Sequence, residues 1–220
     1  MAHVTEPAVG ILTAADLVER FGPVPLSRLR HDPAPGTASE HDVVEIHDRE
    51  DRLYELVDGI LLEKTADTYE AYLAGLLVHL IWTFVKENDL GIVLGADGMM
   101  RLAPGLVRIP DASFISWARL PGRKIPRDPI ADLAPDLAVE VISKGNTREE
   151  MQRKLSDYFT AAVRQVWYVY PERREIRVYV APQQHTVFNE QQTLGGGELL
   201  PGFSLELRVF FADAGQVDES

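Results

Sequence analysis

The 220-residue sequence contains no cysteine. Disulfide frameworks, thiolate-bound zinc, iron–sulfur clusters and thiol nucleophiles are therefore excluded, and a chain without disulfides suits a cytoplasmic setting. Its six histidines, at positions 3, 31, 41, 47, 79 and 185, show no zinc-ligand spacing. A Gly-x-Ser-x-Gly nucleophile elbow and a P-loop are also missing. Gly195-Gly196-Gly197 has no strand–helix context and reads as a turn. Positive charge is in short supply. There are 22 Lys and Arg against 34 Asp and Glu, a formal net charge of −12, which argues against a general nucleic-acid coat protein. The deficit is uneven: residues 1–63 hold 13 acids and 5 bases (net −8), and residues 64–220 hold 21 and 17 (net −4). No long hydrophobic run occurs. The longest, residues 71–85, is closed by Glu70 and by Lys86-Glu87. A bilayer span needs about 20 residues, so a buried core helix and no membrane partner are expected. Residues 1–10 lack the charged-then-apolar pattern of a secretory leader.

What is present is the composition of an ordinary soluble globular protein, 45% hydrophobic and 25% charged. Residues 1–40 read as an extension. Thr13 with Asp16 forms a helix-start signature, and prolines 23, 25, 33 and 35 keep the following chain irregular. Residues 41–212 carry the main domain, and 213–220 a flexible tail. Strands are expected at 53–57 and 60–62 around Asp58-Gly59, which supplies the positive φ of a tight hairpin. A long helix follows at 69–86, then strands at 92–94 and 99–102 around the turn 95–98. A strand at 110–117 precedes a Pro-rich loop at 118–135. Residues 137–142, Leu-Ala-Val-Glu-Val-Ile, suggest a central strand covered on both faces. Thr147 and Glu150 cap a helix at 148–162, and strands at 165–170 and 175–180 pair across residues 171–174. Strands, helix, then strands again predict a mixed β-sheet with helices packed on it.

Glu140 is the most informative residue. Side chains alternate faces along a strand, so Ala138, Glu140 and Ile142 share one face. A carboxylate there is expensive to bury unless it is paired or metal-bound; a salt-bridged or strand-end glutamate is the plainer alternative. Asp111 follows Pro110 at the start of an apolar strand, where a turn aspartate is also common. Lys154 sits beside Met151 and Tyr158 at the edge of the helical apolar stripe. It can reach along the sheet toward a carboxylate or extend to water. Together these three suit phosphodiester hydrolysis. Two acids hold a hard divalent cation through oxygen, the cation activates water, and an ammonium stabilises developing negative charge.

The order Pro110-Asp111, then Val139-Glu140-Val141, then a helix bearing Lys154 resembles the PD-(D/E)XK nuclease superfamily, and more closely the Uma-two type of restriction-endonuclease-like domain. The matching stretches are Tyr54-Glu55-Leu56-Val57-Asp58-Gly59, Ile109-Pro110-Asp111, residues 136–143, Lys154-Leu155-Ser156-Asp157-Tyr158, residues 166–171 and Leu200-Pro201-Gly202-Phe203. The superfamily's usual lysine position, two residues after the second acid, is Ile142 here. The Uma-two type resembles a version in which the following helix supplies the lysine, which fits Lys154; Lys144 is the rival donor. The resemblance implies a restriction-endonuclease-like mixed β-sheet flanked by helices, with added β-hairpins. It implies Asp111 and Glu140 as ligands of Mg²⁺ or Mn²⁺, with a carbonyl near Val141 as a third. It makes Glu55 a supporting acid, although an exposed hairpin glutamate is an equal alternative. A homodimer is also implied, since such nucleases often pair to cut two strands.

Basic residues form two clusters: Arg119, Arg123, Lys124 and Arg127 in the loop after the Asp111 strand, and Lys144, Arg148, Arg153 and Lys154 after the Glu140 strand. Arg123, Lys124, Lys144 and Arg148 are candidate phosphate contacts, against the commoner reading of solvated loops. The expected function is a metal-dependent endonuclease acting on DNA. Replacing Glu140 or Lys154 is then expected to abolish cleavage and spare the fold. The rival readings are a catalytically idle module that binds nucleic acid or a protein partner, and a metal phosphoesterase acting on small nucleotides.

Overall fold

The structure, a computed structural model, describes residues 12–213. The segment 1–10 read for a leader and the tail residues 214–220 lie outside the described residues. Among the described residues, five α-helices and twelve strands follow one another in a mixed α/β arrangement with three sheets.

The Asp58-Gly59 turn behaves as its sequence requires. Both residues have positive φ, 51° and 72°, and strand β1 (Tyr54–Val57) pairs antiparallel with β2 (Ile60–Glu63), Glu55 opposite Leu62. This hairpin joins β4 (Met100–Ala103) and β5 (Leu106–Arg108) in a four-stranded sheet of order β2-β1-β5-β4. Helix α2 (Glu40–Glu50), not anticipated from the sequence, buries Val43 and Ile46 in the core of this sheet with Tyr54, Leu56 and Val107.

The larger sheet adds β3 (Gly91–Leu94), β6 (Ala112–Ser116), β7 (Leu137–Val141), β8 (Gln165–Tyr170), β9 (Glu175–Ala181) and β10 (Gln184–Asn189), in the order β10-β9-β8-β7-β6-β3. Strands β7 and β8 run parallel; the other pairs in this sheet are antiparallel. Every residue of β7 is buried, as its apolar run predicts. Helix α3 (Thr68–Glu87) covers one face through Leu73, Ala74, Leu77, Ile81 and Val85. The same core takes in β11 (Thr193–Gly195), β12 (Ser204–Glu206) and helix α5 (Leu207–Asp213) through Leu194, Leu205, Phe210 and Phe211. On the other face, helix α4 (Arg148–Thr160) packs Met151, Leu155 and Tyr158 against Ala138, Val166 and Tyr168. The reciprocal Thr147/Glu150 cap at its start is formed.

The strands expected on either side of the turn at 95–98 form as β3 and β4; they belong to different sheets, so that turn carries the chain from one sheet to the other. Residues 12–40 pack against the rest of the described structure. Helix α1 (Ala14–Phe21) starts at the Thr13/Asp16 cap, and Phe21, Val24 and Leu29 are buried with Val57, Ile60 and Leu62. Arg28 clamps Glu150 at the α4 N-terminus through two bonds of 3.0 and 2.9 Å. Helix α3, at 20 residues, is longer than its apolar run and has the length and hydropathy of a spanning helix. One face lies in the core and the other presents Trp82 to solvent.

Candidate active site

Four elements bring the chemistry together. Glu55 comes from β1, Asp111 from the entry to β6, Glu140 from β7 and Lys154 from the middle of α4. The β6–β7 pairing sets Ala112 beside Val139, which brings Asp111 alongside the Glu140 strand. The Asp111 amide donates to the Val139 carbonyl at 2.9 Å, and its Oδ2 accepts from the Val141 N–H at 2.6 Å. Residue 140 faces α4, and Lys154 lies one turn before Tyr158 on the same helical face. Lys154 Nζ stands 3.1 Å from each oxygen of Glu140 and 3.1 Å from Glu55 Oε1. The Tyr158 hydroxyl donates to Glu140 Oε1 at 2.5 Å.

Two further cations complete the cluster. Lys64, just past β2, places Nζ 2.8 Å from Asp111 Oδ1 and also donates to the Ile109 carbonyl. Arg108 at the end of β5 donates to Glu55 Oε2 at 2.8 Å and to Asp157 Oδ2 at 3.1 Å. Glu55 Oε1 in addition accepts from the Ile109 N–H at 3.1 Å. Glu55, Glu140, Lys154 and Arg108 are all at most 4% exposed. Charges so far from water persist only because each has an opposite partner and hydrogen bonds.

A family model described as "Uma2: Putative restriction endonuclease" matches residues 40–208. The chain belongs to the Uma2 family. A solved structure described as "a putative nuclease belonging to DUF820 from Anabaena variabilis" shares its fold, with a TM-score of 0.66 at 17% identity, covering 74% of this chain and 92% of that one. No curated protein matches. Glu55, Lys64, Arg108, Asp111, Glu140 and Lys154 all fall inside the Uma2 match. Arg28, which borders the site and braces α4, lies before it.

Within this Uma2 domain the candidate phosphate contacts separate into two groups. Arg123 and Lys124 follow β6 at the end away from Asp111, five residues of strand distant. Arg123 is ion-paired to Asp89 at 2.5 Å and stacks over Trp117. Neither lines the space among the carboxylates. Lys144 and Arg148 leave the Glu140 end of β7, on the loop into α4 and its first residue. Lys144 is exposed, 3.5 Å from Glu172, so the rival lysine does not reach the acids. His79 is exposed on α3.

Lys64 and Arg108 were not singled out from sequence. The hairpin register held a signal for the first. Glu55 opposes Leu62, and opposed residues share a face, so Lys64, two residues beyond Leu62, points to the side of Glu55. Arg108 interrupts the apolar run Leu106-Val107-Arg108-Ile109, the same signal that identified Glu140.

The space among Glu55, Lys64, Asp111, Glu140 and Lys154 is about 20 Å³, on the scale of one water or one bare cation and far below a nucleotide. Among the described residues no group of three His, Asp or Glu side chains is placed to hold a metal ion. A magnesium-like cation usually rests on one or two carboxylates and keeps water or substrate phosphate for its other positions. Asp111 and Glu140 supply that number of carboxylates and line one space with Val141, with Lys64 on Asp111 Oδ1 and Lys154 on both oxygens of Glu140.

Burial alone would raise the Glu55 pKa, but Lys154, Arg108 and Lys64 overcome it and hold the carboxyl at about 2. Glu140 goes the other way: burial pushes it up, and Lys154 and Lys64 pull it only part of the way back. Two acids in one cluster are thus pushed apart, an arrangement typical of functional sites. Lys154 loses stability as a cation through burial, but Glu140 and Glu55 hold its pKa above the ordinary lysine value. A lowered acid pKa stabilises the folded state above the unfolded pKa, and that stability is lost as pH falls through the folded value. The stability gap between wild type and Glu55→Gln is therefore expected to be constant from pH 8 to about pH 5 and to close between the ordinary value of 4.5 and about 2. Urea unfolding at stepped pH checks this, and a gap that widens on acidification would contradict it.

Proposed function

We propose that this Uma2 protein is a Mg²⁺- or Mn²⁺-dependent endonuclease that hydrolyses DNA phosphodiesters at the Asp111–Glu140–Lys154 site. The observation that carries the reading is the meeting of Lys154 with Glu140, while Asp111 hangs from the next backbone amide of the same strand. Asp111 and Glu140, with the Val141 carbonyl, would hold the cation. When bound, it supplies an activated water and neutralises charge on the phosphodiester. Lys154 keeps its proton and so acts as donor and counter-charge, orienting Glu140 and steadying negative charge that develops at phosphate. Tyr158, raised well above its usual pKa by burial and by Glu140, remains a hydrogen-bond donor that fixes Glu140 Oε1. Glu55, ionised at any working pH, anchors Lys154 from the other side. The proposed assembly is a homodimer, each copy taking one strand.

Supercoiled plasmid incubated with Mg²⁺ or Mn²⁺ is expected to be nicked and linearised, and excess EDTA to stop the reaction. Undiminished cleavage in EDTA would remove the metal from the account. A second reading, a non-cleaving module that binds nucleic acid or protein, is favoured by one observation: Lys64 already neutralises Asp111. Calorimetric titration with Mn²⁺ separates the two, because an idle site takes up no metal.

A further inference from the structure

Between the N-terminal half of α4 and strands β8, β9 and β10 runs a groove of about 560 Å³. That is within the range of about 300–1,000 Å³ common for small-ligand sites, whereas the space among the carboxylates is about 20 Å³. Arg148, Arg173 and Arg177 line the groove, and among the described residues no carboxylate does, in a chain of net charge −12. The Arg177 and Arg173 guanidiniums lie 4.5 and 5.7 Å from the Tyr170 ring centroid and cover that ring, while the exposed His185 ring packs on buried Tyr179, 4.7 Å away at 35°. Glu175 holds Arg177 at 2.7 Å and lies 3.9 Å from Arg173; it orients these cations from outside the groove lining. Arg148 and His185 are exposed.

The groove borders the candidate active site. Asn146 borders both. A smaller space of about 200 Å³ shares Tyr170 and Arg173 with the groove, and Glu70 and Ser143 with the carboxylate site. Rings that offer π faces beside cations bind unpaired nucleotides, whose bases stack and whose phosphates pair with arginine. A base inside a duplex has neither face free. We infer that this groove is the subsite for an unpaired nucleotide of the strand whose phosphodiester reaches Asp111 and Glu140. The base stacks on the exposed His185 ring, and phosphate meets Arg148 and also Arg173, which Tyr170 helps to position. The naming of that strand rests on the nuclease reading; the groove's preference for an unpaired nucleotide does not.

The test is fluorescence anisotropy of the full chain with labelled hexathymidylate in EDTA, where no metal-dependent cleavage intervenes. Wild type is expected to bind it more tightly than a duplex of equal length. His185→Ala should weaken binding about tenfold; Tyr170→Ala should also weaken it, and Tyr170→Phe should keep it. Arg148→Glu should weaken binding and lower the salt slope by about one. Tyr170 is half-buried; if its alanine variant does not fold, the exposed His185 and Arg148 carry the test. No wild-type binding, or binding unchanged by His185→Ala and Arg148→Glu, overturns the inference. A protein that nicks plasmid yet ignores these variants keeps the nuclease reading and loses the groove. One that binds through the groove and never cleaves keeps the groove and loses the nuclease.

Discussion

Lys154→Met is expected to abolish DNA cleavage and to lower the unfolding free energy by about 3–5 kcal/mol, the usual penalty for removing one partner of a buried ion pair. The side chain is 4% exposed, and its ammonium holds Glu140 and Glu55 together, 3.1 Å from each. Methionine fills most of the volume but leaves two buried carboxylates facing one another, with Arg108, Lys64 and Tyr158 as their remaining partners. The sequence-based expectation that loss of this lysine spares the fold is therefore revised: burial gives it a structural part. Glu140→Gln behaves differently. Glutamine keeps the shape and an acceptor for Tyr158 and Lys154, so its stability loss should be smaller, while loss of the charge should lower cleavage by about 100-fold or more. Urea unfolding together with plasmid nicking checks both. A Lys154→Met protein as stable as wild type would show that the lysine does not clamp the acids, and wild-type cleavage by Glu140→Gln would remove Glu140 from the chemistry.

How much of this was legible depends on whether the signal is local. The Asp58-Gly59 turn, the Thr147/Glu150 cap and the apolar run of β7 are each determined within a few residues, and each formed as expected. So did the logic of Glu140, a charge on a strand too apolar to face water. The change of sheet between β3 and β4 was not legible, because a turn of Gly95-Ala96-Asp97-Gly98 reads the same whether its strands pair with each other or with distant partners. Helix α2 was missed because its sequence is mostly polar and it buries little beyond Val43 and Ile46. The docking of residues 12–40 was hidden for a similar reason. The Arg28–Glu150 clamp joins positions 122 apart, and Glu150 already had a sufficient local explanation as a capping residue. The same masking applies to Arg123 and Lys124. Sequence places them near Asp111 along the chain, whereas the length of β6 carries them away from it.

Arg108→Met is expected to destabilise the protein by about 3–5 kcal/mol. The guanidinium is 1% exposed. One arm bonds Glu55 on the hairpin sheet and the rest of the fork bonds Asp157 on α4, which lies on the six-stranded sheet. Asp157 is also held by Arg153 at 3.0 Å, and Arg153 reaches back 3.2 Å to Asp58 in the hairpin turn. Arg108 is therefore a charged bolt between the two sheets, set directly behind the acid that positions Lys154. Because domains commonly have only about 5–15 kcal/mol in total, its loss should bring the variant close to unfolding at physiological temperature. Lysine should rescue little, since a single ammonium cannot reproduce the planar fork that spans two carboxylates. Most of the loss comes from the acids left behind. The triple change Arg108→Met, Glu55→Gln, Asp157→Asn should consequently recover much of the stability while leaving Lys154 with Glu140 alone. Urea unfolding at 25 °C distinguishes the three proteins. If Arg108→Met unfolds within about 1 kcal/mol of wild type, the pair is worth no more than a surface salt bridge, and the coupling of the two sheets must be sought in the apolar contacts instead.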